Sequence, residues 1–336
     1  MMNGERSFAT PTLHDPKSFA MFAMAQTNEE APLIGELNLI AGLTVKIGEP
    51  LARYTSMKIG GAADYFIEAA HEAALANLLT VLRRHRTNFC VLGNGSNVLI
   101  SDLGIRGAVI RLTGEFRRVT WQESDADVRV SAGAAYAVTQ LVREAARKDY
   151  SGLEFAEGIP GSIGGALYMN AGAYGCEFEK VVAAVEAMTA AGQPLQLSRP
   201  EMTFSYRDSH LPAGTVVTRV VMRLQKGETG RAGSQVRELV GKRRSSQPSG
   251  FPNSGSMFRN PPGDFAGRLI EAAGLKGQRI GQCQISPRHA NFIVNLGGAK
   301  AAEVRQLMAL AQSEVRRQFG VELTPEVKFF GEWPAE

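Results

Sequence analysis

The glycine-rich stretch between residues 158 and 175 constrains the fold of this chain more than any other sequence feature. It contains six glycines and opens with Gly158, Ile159, Pro160, Gly161, Ser162, Ile163, Gly164 and Gly165. Backbone without side chains can approach a ligand closely. Ser162 is a natural N-cap for a short helix, whose free N–H groups and dipole suit a pyrophosphate. A glycine-rich packing turn with a serine cap is the structural alternative.

A second loop is also rich in glycine and small polar residues. The residues Gly93, Asn94, Gly95, Ser96 and Asn97 follow one apolar run and precede another. Their exposed amides can hold an anion. Val98 stands where the third glycine of G-x-G-x-x-G belongs, and the chain contains no G-x-x-x-x-G-K-[ST] motif. Alone, the loop is also compatible with an ordinary hairpin turn. Together, the two loops indicate a nucleotide-cofactor fold of neither the Rossmann nor the Walker type.

Composition narrows the class of protein. The 336 residues are 44% apolar and 21% charged, which is typical of a soluble globular protein of two or three domains. No run reaches the roughly 20 apolar residues that a membrane-spanning helix needs. Cys90, Cys176 and Cys283 are too far apart for a zinc motif or a disulfide framework. We therefore expect a reducing compartment, no metal site, and ordinary apolar roles for Cys90 and Cys176. The net charge of +4 is too small to imply nucleic acid.

Residues 1–35 show no sustained periodicity and contain three prolines, which predicts a poorly ordered leader. An apolar run at 18–25 ends in a small-x-small pattern, as signal peptides do, but it is short and follows acidic residues and Pro16. We favour a cytoplasmic protein over a secreted one. Met21 and Met24 are alternative start sites.

The rest of the chain alternates β-branched runs with amphipathic segments, which predicts an α+β protein. The predicted strands are 65–68, 89–92, 98–101, 108–112, 128–132, 181–188 and 216–224. The predicted helices are 72–85, 135–148, 235–244, 265–273 and 302–319. We place domain boundaries so that 36–107 and 108–230 form two α/β subdomains and 231–336 forms a third domain.

Several motifs, in one order, resemble the UDP-N-acetylenolpyruvoylglucosamine reductase (MurB) family from about residue 42 to the C-terminus. Besides the two glycine loops, they are Tyr-Thr-Ser-Met-Lys-Ile-Gly-Gly at 54–61, Tyr-Arg-Asp-Ser at 206–209, Gly-Ser-Met-Phe-Arg-Asn-Pro at 255–261, His-Ala-Asn-Phe-Ile-Val-Asn at 289–295 and Pro-Glu-Val at 325–327. Arg207 and Ser256 are only 49 positions apart. This spacing resembles the class that lacks an inserted loop whose tyrosine covers the substrate.

The resemblance implies a non-covalent FAD in a vanillyl-alcohol-oxidase (PCMH) type domain built from the two subdomains. It also implies NADPH as co-substrate and a C-terminal α+β domain that binds a UDP-sugar, with the last strand returning towards the FAD domain. The implied reaction converts UDP-N-acetylglucosamine enolpyruvate to UDP-N-acetylmuramate, a peptidoglycan precursor. We expect the enzyme to be a monomer. The implied FAD-binding residues are Tyr54, Thr55, Gly93, Asn94, Gly95, Ser96, Asn97, Gly158, Ile159, Pro160, Gly161, Ser162, Gly164, Asn170, Ala171 and Gly172.

Three residues match the family's catalytic positions. Hydride transfer to the enolpyruvyl ether builds negative charge beside a carboxylate, and Arg207 suits this charge because a guanidinium is always ionised and bidentate. Its structural alternative is an ion pair with Asp208 or another carboxylate. Ser256 matches the proton donor, although a serine in a Gly-Ser turn is otherwise structural. Glu326 matches a carboxyl that stabilises or orients the substrate.

The resemblance assigns the substrate contacts to Arg244 and Asn260. Tyr174 or Tyr206 is our candidate for the ring that replaces the missing loop. We interpret His289 as a packing residue. A hydrolase with Ser256 as nucleophile is disfavoured because no G-x-S-x-G motif surrounds it.

Two other functions stay open from the sequence. One is an oxidase or dehydrogenase of the same FAD fold, and the other is a non-catalytic protein that binds nucleotide sugars or nucleic acid.

Overall fold

The structure is a computed structural model that describes residues 30–125 and 127–334. Most of the predicted leader therefore lies outside the described residues. Its last six residues, 30–35, belong to a helix.

Within the described ranges the helices are α1 (Glu30–Asn38), α2 (Glu72–Arg84), α3 (Val138–Arg147), α4 (Ile163–Tyr168), α5 (Arg231–Ser246), α6 (Ala266–Ala272) and α7 (Ala301–Phe319). The strands are β1 (Leu43–Pro50), β2 (Ala62–Ala69), β3 (Phe89–Val91), β4 (Val98–Ile100), β5 (Ile105–Leu112), β6 (Val119–Glu123), β7 (Val128–Gly133), β8 (Tyr150–Ser151), β9 (Gly172–Ala173), β10 (Cys176–Glu177), β11 (Val182–Met188), β12 (Pro194–Ser198), β13 (Val216–Lys226), β14 (Arg279–Ile280), β15 (Cys283–Ile285), β16 (Ile293–Asn295) and β17 (Lys328–Phe330). None of these helices has both the length and the apolar character needed to cross a bilayer.

The first subdomain is a four-stranded mixed sheet in the order β1-β2-β5-β3, with α1 and α2 packed on it. Helix α2 forms where predicted because its leucines recur with helical spacing and are buried in the core. The His71 ring caps it by accepting a hydrogen bond from the Ala74 N–H. Strand β5 runs through residue 107, so the first subdomain extends past the boundary predicted there.

The second subdomain is an antiparallel sheet in the order β12-β11-β13-β7-β6, and β8 also pairs with β13. Val130, Val185 and Val220 are fully buried in the core to which α3 also contributes. Helix α5, which we predicted to open the third domain, packs instead against α3 and the turn at Glu154–Ala156. Val236 places its apolar face in the same core, so α5 covers the second subdomain.

The third domain combines the antiparallel sheet β14-β15-β16 with α6 and α7 around a separate core. It is tied to the first subdomain. The Asp102 carboxylate accepts hydrogen bonds from the Ala301 and Ala302 N–H groups at 2.8 and 3.0 Å, which caps α7 across the domain boundary. Strand β17 then returns to pair in parallel with β4. This pairing brings the C-terminal motif next to the 93–97 loop.

Candidate active site

The two glycine loops lie against each other, although they belong to different subdomains. The Ser96 hydroxyl donates a hydrogen bond to the Pro160 carbonyl at 2.8 Å. A Cβ added to Gly93 would lie 2.5 Å from Ser162 Oγ, and one added to Gly161 would lie 3.1 Å from Ser96 Oγ. Side chains at these glycines would push the loops apart, so the absence of Cβ is what lets them meet.

The 93–97 loop offers a row of free donors. Among the described residues, none of its five backbone N–H groups has a hydrogen-bond acceptor, and neither do the N–H groups of Gly158, Gly161 and Ser162. Converging amides of this kind bind anions. The hairpin alternative is wrong, because β3 pairs with β5 whereas β4 pairs with β17. These donors fit the pyrophosphate of a dinucleotide.

Helix α4 begins as predicted at the Ser162 cap, whose hydroxyl accepts a hydrogen bond from the Gly165 N–H at 3.3 Å. Gly164 has a packing role, because a Cβ there would lie 2.9 Å from the Ala134 Cβ. The helix can therefore approach the end of β7.

The 54–56 segment forms a third wall. The Ser56 N–H donates to the Gly95 carbonyl at 3.0 Å, which holds this segment on the glycine loop. The Thr55 hydroxyl is turned inwards and donates to the Ile59 carbonyl at 2.9 Å. The Tyr54 ring stacks on Phe66 with 4.2 Å between centroids. Next to this wall is a cavity of about 330 Å³ whose lining is mostly basic or polar: Arg53, Tyr54, Thr55, Ser56, Lys58, Asn94 and Arg111.

Asn170, predicted to contact FAD, is fully buried and bonded within the protein. Its amide nitrogen donates to Glu177 Oε2 and to the Ser205 carbonyl, and its oxygen accepts from the Glu179 N–H. Both hydrogens of the Asn170 side-chain amide are therefore bonded within the protein. The side chain fastens the loop that precedes Arg207.

Arg207 and Glu326 form the centre of the candidate site. Arg207 Nε donates to Glu326 Oε1 at 2.8 Å, Nη2 donates to the Gly172 carbonyl at 3.3 Å, and Nη1 lies 3.6 Å from Glu177 Oε1. The Arg207 and Glu326 side chains are only 16% and 15% exposed. Arg207 has a left-handed backbone with φ of 63°, which is uncommon for a non-glycine residue. Its ion pair is with Glu326 rather than with Asp208.

Ser256 is brought to the same place by backbone pairing. It forms an isolated bridge with Phe292, and the next residue, Met257, accepts a hydrogen bond from the Glu326 N–H at 2.8 Å. Within the described part of the chain the Ser256 hydroxyl has no hydrogen-bond partner. The hydroxyl is half-buried and free to meet a substrate.

Arg243, one position before the predicted Arg244, contacts the 158 loop and Tyr174. Arg243 Nη1 donates to the Gly158 carbonyl at 2.5 Å, and its guanidinium lies 5.9 Å from the centre of the half-exposed Tyr174 ring. Arg244 is exposed. The sequence contains an indication of this orientation, because Arg243 follows Val236 by seven residues and therefore lies on the same face of the helix.

Asn260 lies at a cavity of about 500 Å³ whose lining residues are Tyr206, Arg259, Asn260, Pro261, Pro262, Glu322 and Thr324. Its Oδ1 accepts the Ala266 N–H at 3.1 Å, so the amide nitrogen is the part left for a ligand. Tyr206, our other candidate ring, lies over the Arg207 guanidinium at 4.5 Å.

Two residues behave as the sequence predicted. Burial raises the pKa of the Cys90 thiol to about 12, so it stays protonated as a small apolar group. Burial lowers the pKa of His289, whose ring packs edge-on against Phe292. Its Nδ1 accepts the Asn291 N–H, as expected of a packing residue.

The fold and the paired loops define a flavoprotein with a vanillyl-alcohol-oxidase type FAD-binding domain. Residues 63–198 match the family model described as FAD binding domain, and FAD is the cofactor that the free loop amides fit. Residues 247–330 match the model described as UDP-N-acetylenolpyruvoylglucosamine reductase, C-terminal domain. The chain belongs to the UDP-N-acetylenolpyruvoylglucosamine reductase family.

Similar proteins span almost the same length. The chain is 45% identical to UDP-N-acetylenolpyruvoylglucosamine reductase 2 of Symbiobacterium thermophilum over 86% of this chain and 93% of the relative. It is 41% identical to the reductase of Myxococcus xanthus over 92% of this chain and all of that protein. The solved structure of the reductase (MurB) from Thermus caldophilus is 36% identical, with a TM-score of 0.73 over 86% of this chain and 98% of that one.

Proposed function

We propose that this chain reduces UDP-N-acetylglucosamine enolpyruvate to UDP-N-acetylmuramate with electrons from NADPH, as a cytoplasmic monomer in peptidoglycan precursor synthesis. The observation that carries the proposal is the Arg207–Glu326 ion pair next to the unbonded Ser256 hydroxyl. The family relationship gives the substrate, because the relatives are named for this reduction. Bound FAD supplies the hydride that reaches the terminal carbon of the enolpyruvyl double bond.

Arg207 supplies positive charge where the reaction needs it. Hydride addition leaves negative charge on the carbon beside the ether oxygen and on its carboxylate. Among the described residues, Nη1 of Arg207 has no hydrogen bond and faces Glu177 Oε1 at 3.6 Å, so its N–H groups are available to a substrate oxygen. A guanidinium held by two other contacts is preorganised for this task.

Ser256 completes the addition by giving its hydroxyl proton to the carbanionic carbon. The hydroxyl has no competing acceptor within the described residues, so its proton is available. The step converts the double bond to a saturated lactyl ether, with one hydride and one proton added. General acid catalysis of this kind contributes about 10² to 10⁴ in rate.

Glu326 fixes the geometry of this centre. Its side chain holds Arg207, its N–H is bonded to the Met257 carbonyl, and its own carbonyl accepts from Asn97 Nδ2 at 3.2 Å. One residue thereby connects the catalytic arginine, the serine segment and a glycine loop. We assign it a positioning role.

An anaerobic stopped-flow experiment tests the proposal. The holoenzyme is mixed first with NADPH and then with the enolpyruvyl sugar, and the flavin absorbance is followed. We expect bleaching followed by recovery of the flavin colour. Bleaching without recovery would refute the assigned substrate, and a rapid reaction of the reduced protein with oxygen would identify an oxidase instead. A purified protein without flavin absorbance would refute both.

A further inference from the structure

Lys328 is a half-buried cation that the proposed mechanism leaves unused. It begins β17, where its N–H donates to the Asn97 carbonyl at 3.0 Å. Across the described ranges, its ammonium group has neither a hydrogen bond nor an ion pair. The ammonium group lies over the face of the Tyr168 ring, at 5.9 Å from the centroid.

The surroundings of Lys328 include a second cation as well as two carboxylates. Burial and the charge of Arg259 lower the pKa of Lys328, whereas Asp208 and Glu326 act in the opposite direction. Arg259 has no ion pair in the described part of the chain, and its Nε is shielded from solvent without a hydrogen-bond acceptor. Two neighbouring cations that repel each other are stabilised when an anion binds between them.

Part of the Arg207 guanidinium is already bonded within the protein. Its Nε and one Nη2 hydrogen are committed to Glu326 and Gly172, which leaves Nη1 and the second Nη2 hydrogen for a ligand. A carboxylate has two oxygens that can each accept more than one hydrogen bond, so a second cation adds donors to those of Arg207. Glu326 pairs directly with Arg207, and its charge also acts on Lys328, which lies two residues further along the chain.

We propose that Lys328, supported by Arg259, is a substrate-binding residue that holds the carboxylate of the enolpyruvyl group beside Arg207. This inference rests on the proposed function, because it assumes a substrate that carries that carboxylate. Lys328 would also oppose the negative charge that builds on the carboxylate during reduction.

The test compares two ligands that differ only in the enolpyruvyl group. The oxidised holoenzyme is titrated with UDP-N-acetylglucosamine enolpyruvate and, separately, with UDP-N-acetylglucosamine, and binding is read from the shift in the flavin spectrum. For Lys328→Met we expect the Kd of the enolpyruvyl sugar to rise about 10- to 100-fold, as for a lost hydrogen bond to a charged group. The Kd of UDP-N-acetylglucosamine should change less than about twofold, since it lacks the carboxylate. Lys328→Arg, which keeps the charge, should restore most of the affinity.

The control is Lys226→Met. Lys226 also lies at a strand end, but its Nζ faces Glu123 at 3.8 Å, on the second subdomain. It should leave both affinities unchanged. Flavin content and thermal unfolding show whether each variant is folded, and Lys328→Gln replaces the methionine variant if that one loses FAD.

Two results would overturn the inference: an equal loss of affinity for both ligands, which would assign Lys328 to the diphosphate, or no loss for either. These results differ from a failure of the proposed function, in which the wild-type protein itself does not reduce the enolpyruvyl sugar.

Discussion

Arg207 Nε donates to Glu326 Oε1 at 2.8 Å across a sequence separation of 119 residues. Arg207 lies in the connection between β12 and β13 of the second subdomain, whereas Glu326 precedes the strand that pairs with β4 beside the 93–97 loop. The bond therefore joins two walls of the cleft at the point where the cofactor loops meet. We expect a substitution that weakens this hydrogen bond to slow catalysis more than it destabilises the fold.

Substitution of Ser256 should separate the two half-reactions. Ser256→Ala removes the proton donor, so we expect FAD reduction by NADPH to stay near wild type and sugar reduction to slow by about 10² to 10⁴. Rapid mixing of each half-reaction measures both rates. Ser246→Ala is the control, since within the described ranges the Ser246 hydroxyl bonds only to the Lys242 carbonyl on the same helix. Unchanged sugar reduction in Ser256→Ala would rule out the proton-donor role.

The two residues of the Arg207–Glu326 ion pair should be strongly coupled in their effect on catalysis. Arg207→Lys loses the geometry of the guanidinium fork, and Glu326→Gln loses the charge of its partner. Each single variant should reduce the rate of sugar reduction, and the double variant should lose much less than the sum of the two in free energy, because both remove one interaction. Single-turnover rates of the four proteins give the coupling energy. Additive losses would show that the two residues act independently.

Gly95 should be intolerant of any side chain. Its φ is 62°, and a Cβ there would collide with the Tyr54 carbonyl and lie 2.8 Å from the Thr55 Cα. We expect Gly95→Ala to lower FAD affinity at least about tenfold and to destabilise the protein by about 1–3 kcal/mol. Flavin release and thermal unfolding measure these effects. Gly298→Ala is matched for backbone strain, with φ of 71°, but meets nothing within 4 Å, so normal FAD affinity is expected.

Arg243 and Arg244 provide an adjacent pair for testing the substrate contact. Because Arg243 faces Tyr174 and the 158 loop, Arg243→Gln should raise the KM for the sugar about tenfold or more. Arg244→Gln should change it less than about twofold, because that residue is exposed. Steady-state kinetics with each variant decide between them. The reverse order of effects would support the position taken from the family resemblance.

His289 should contribute to the acid sensitivity of folding. Its pKa is lowered in the folded state by burial, so below the unfolded value of about 6.5 the unfolded chain binds the proton more readily. The destabilisation should set in as the pH falls through about 6.5 and grow until the folded-state pKa is reached. Denaturant unfolding from pH 8 to 5 should show this loss in wild type and a smaller loss in His289→Phe. Identical pH profiles would contradict it.

Much of the fold was predictable because its signals are local. The leucine spacing of α2, the valines of β13 and the Ser162 cap each depend on residues within one element, and the structure confirms them. The boundary at residue 231 was harder to place. The sequence of α5 shows that one face of the helix is apolar. It does not show which domain packs against that face.

The sequence alone determined the two glycine loops, the family they indicate, and the three residue types suited to the chemistry. Tertiary structure decided what these residues contact. Contacts between distant strands and loops decide the partner of Arg207, the contacts of Arg243, the internal hydrogen bonds of Asn170 and, among the described residues, the unpaired charge of Lys328. Turn and helix preferences are set within a few residues, whereas an ion pair between distant segments exists only once β17 has paired with β4.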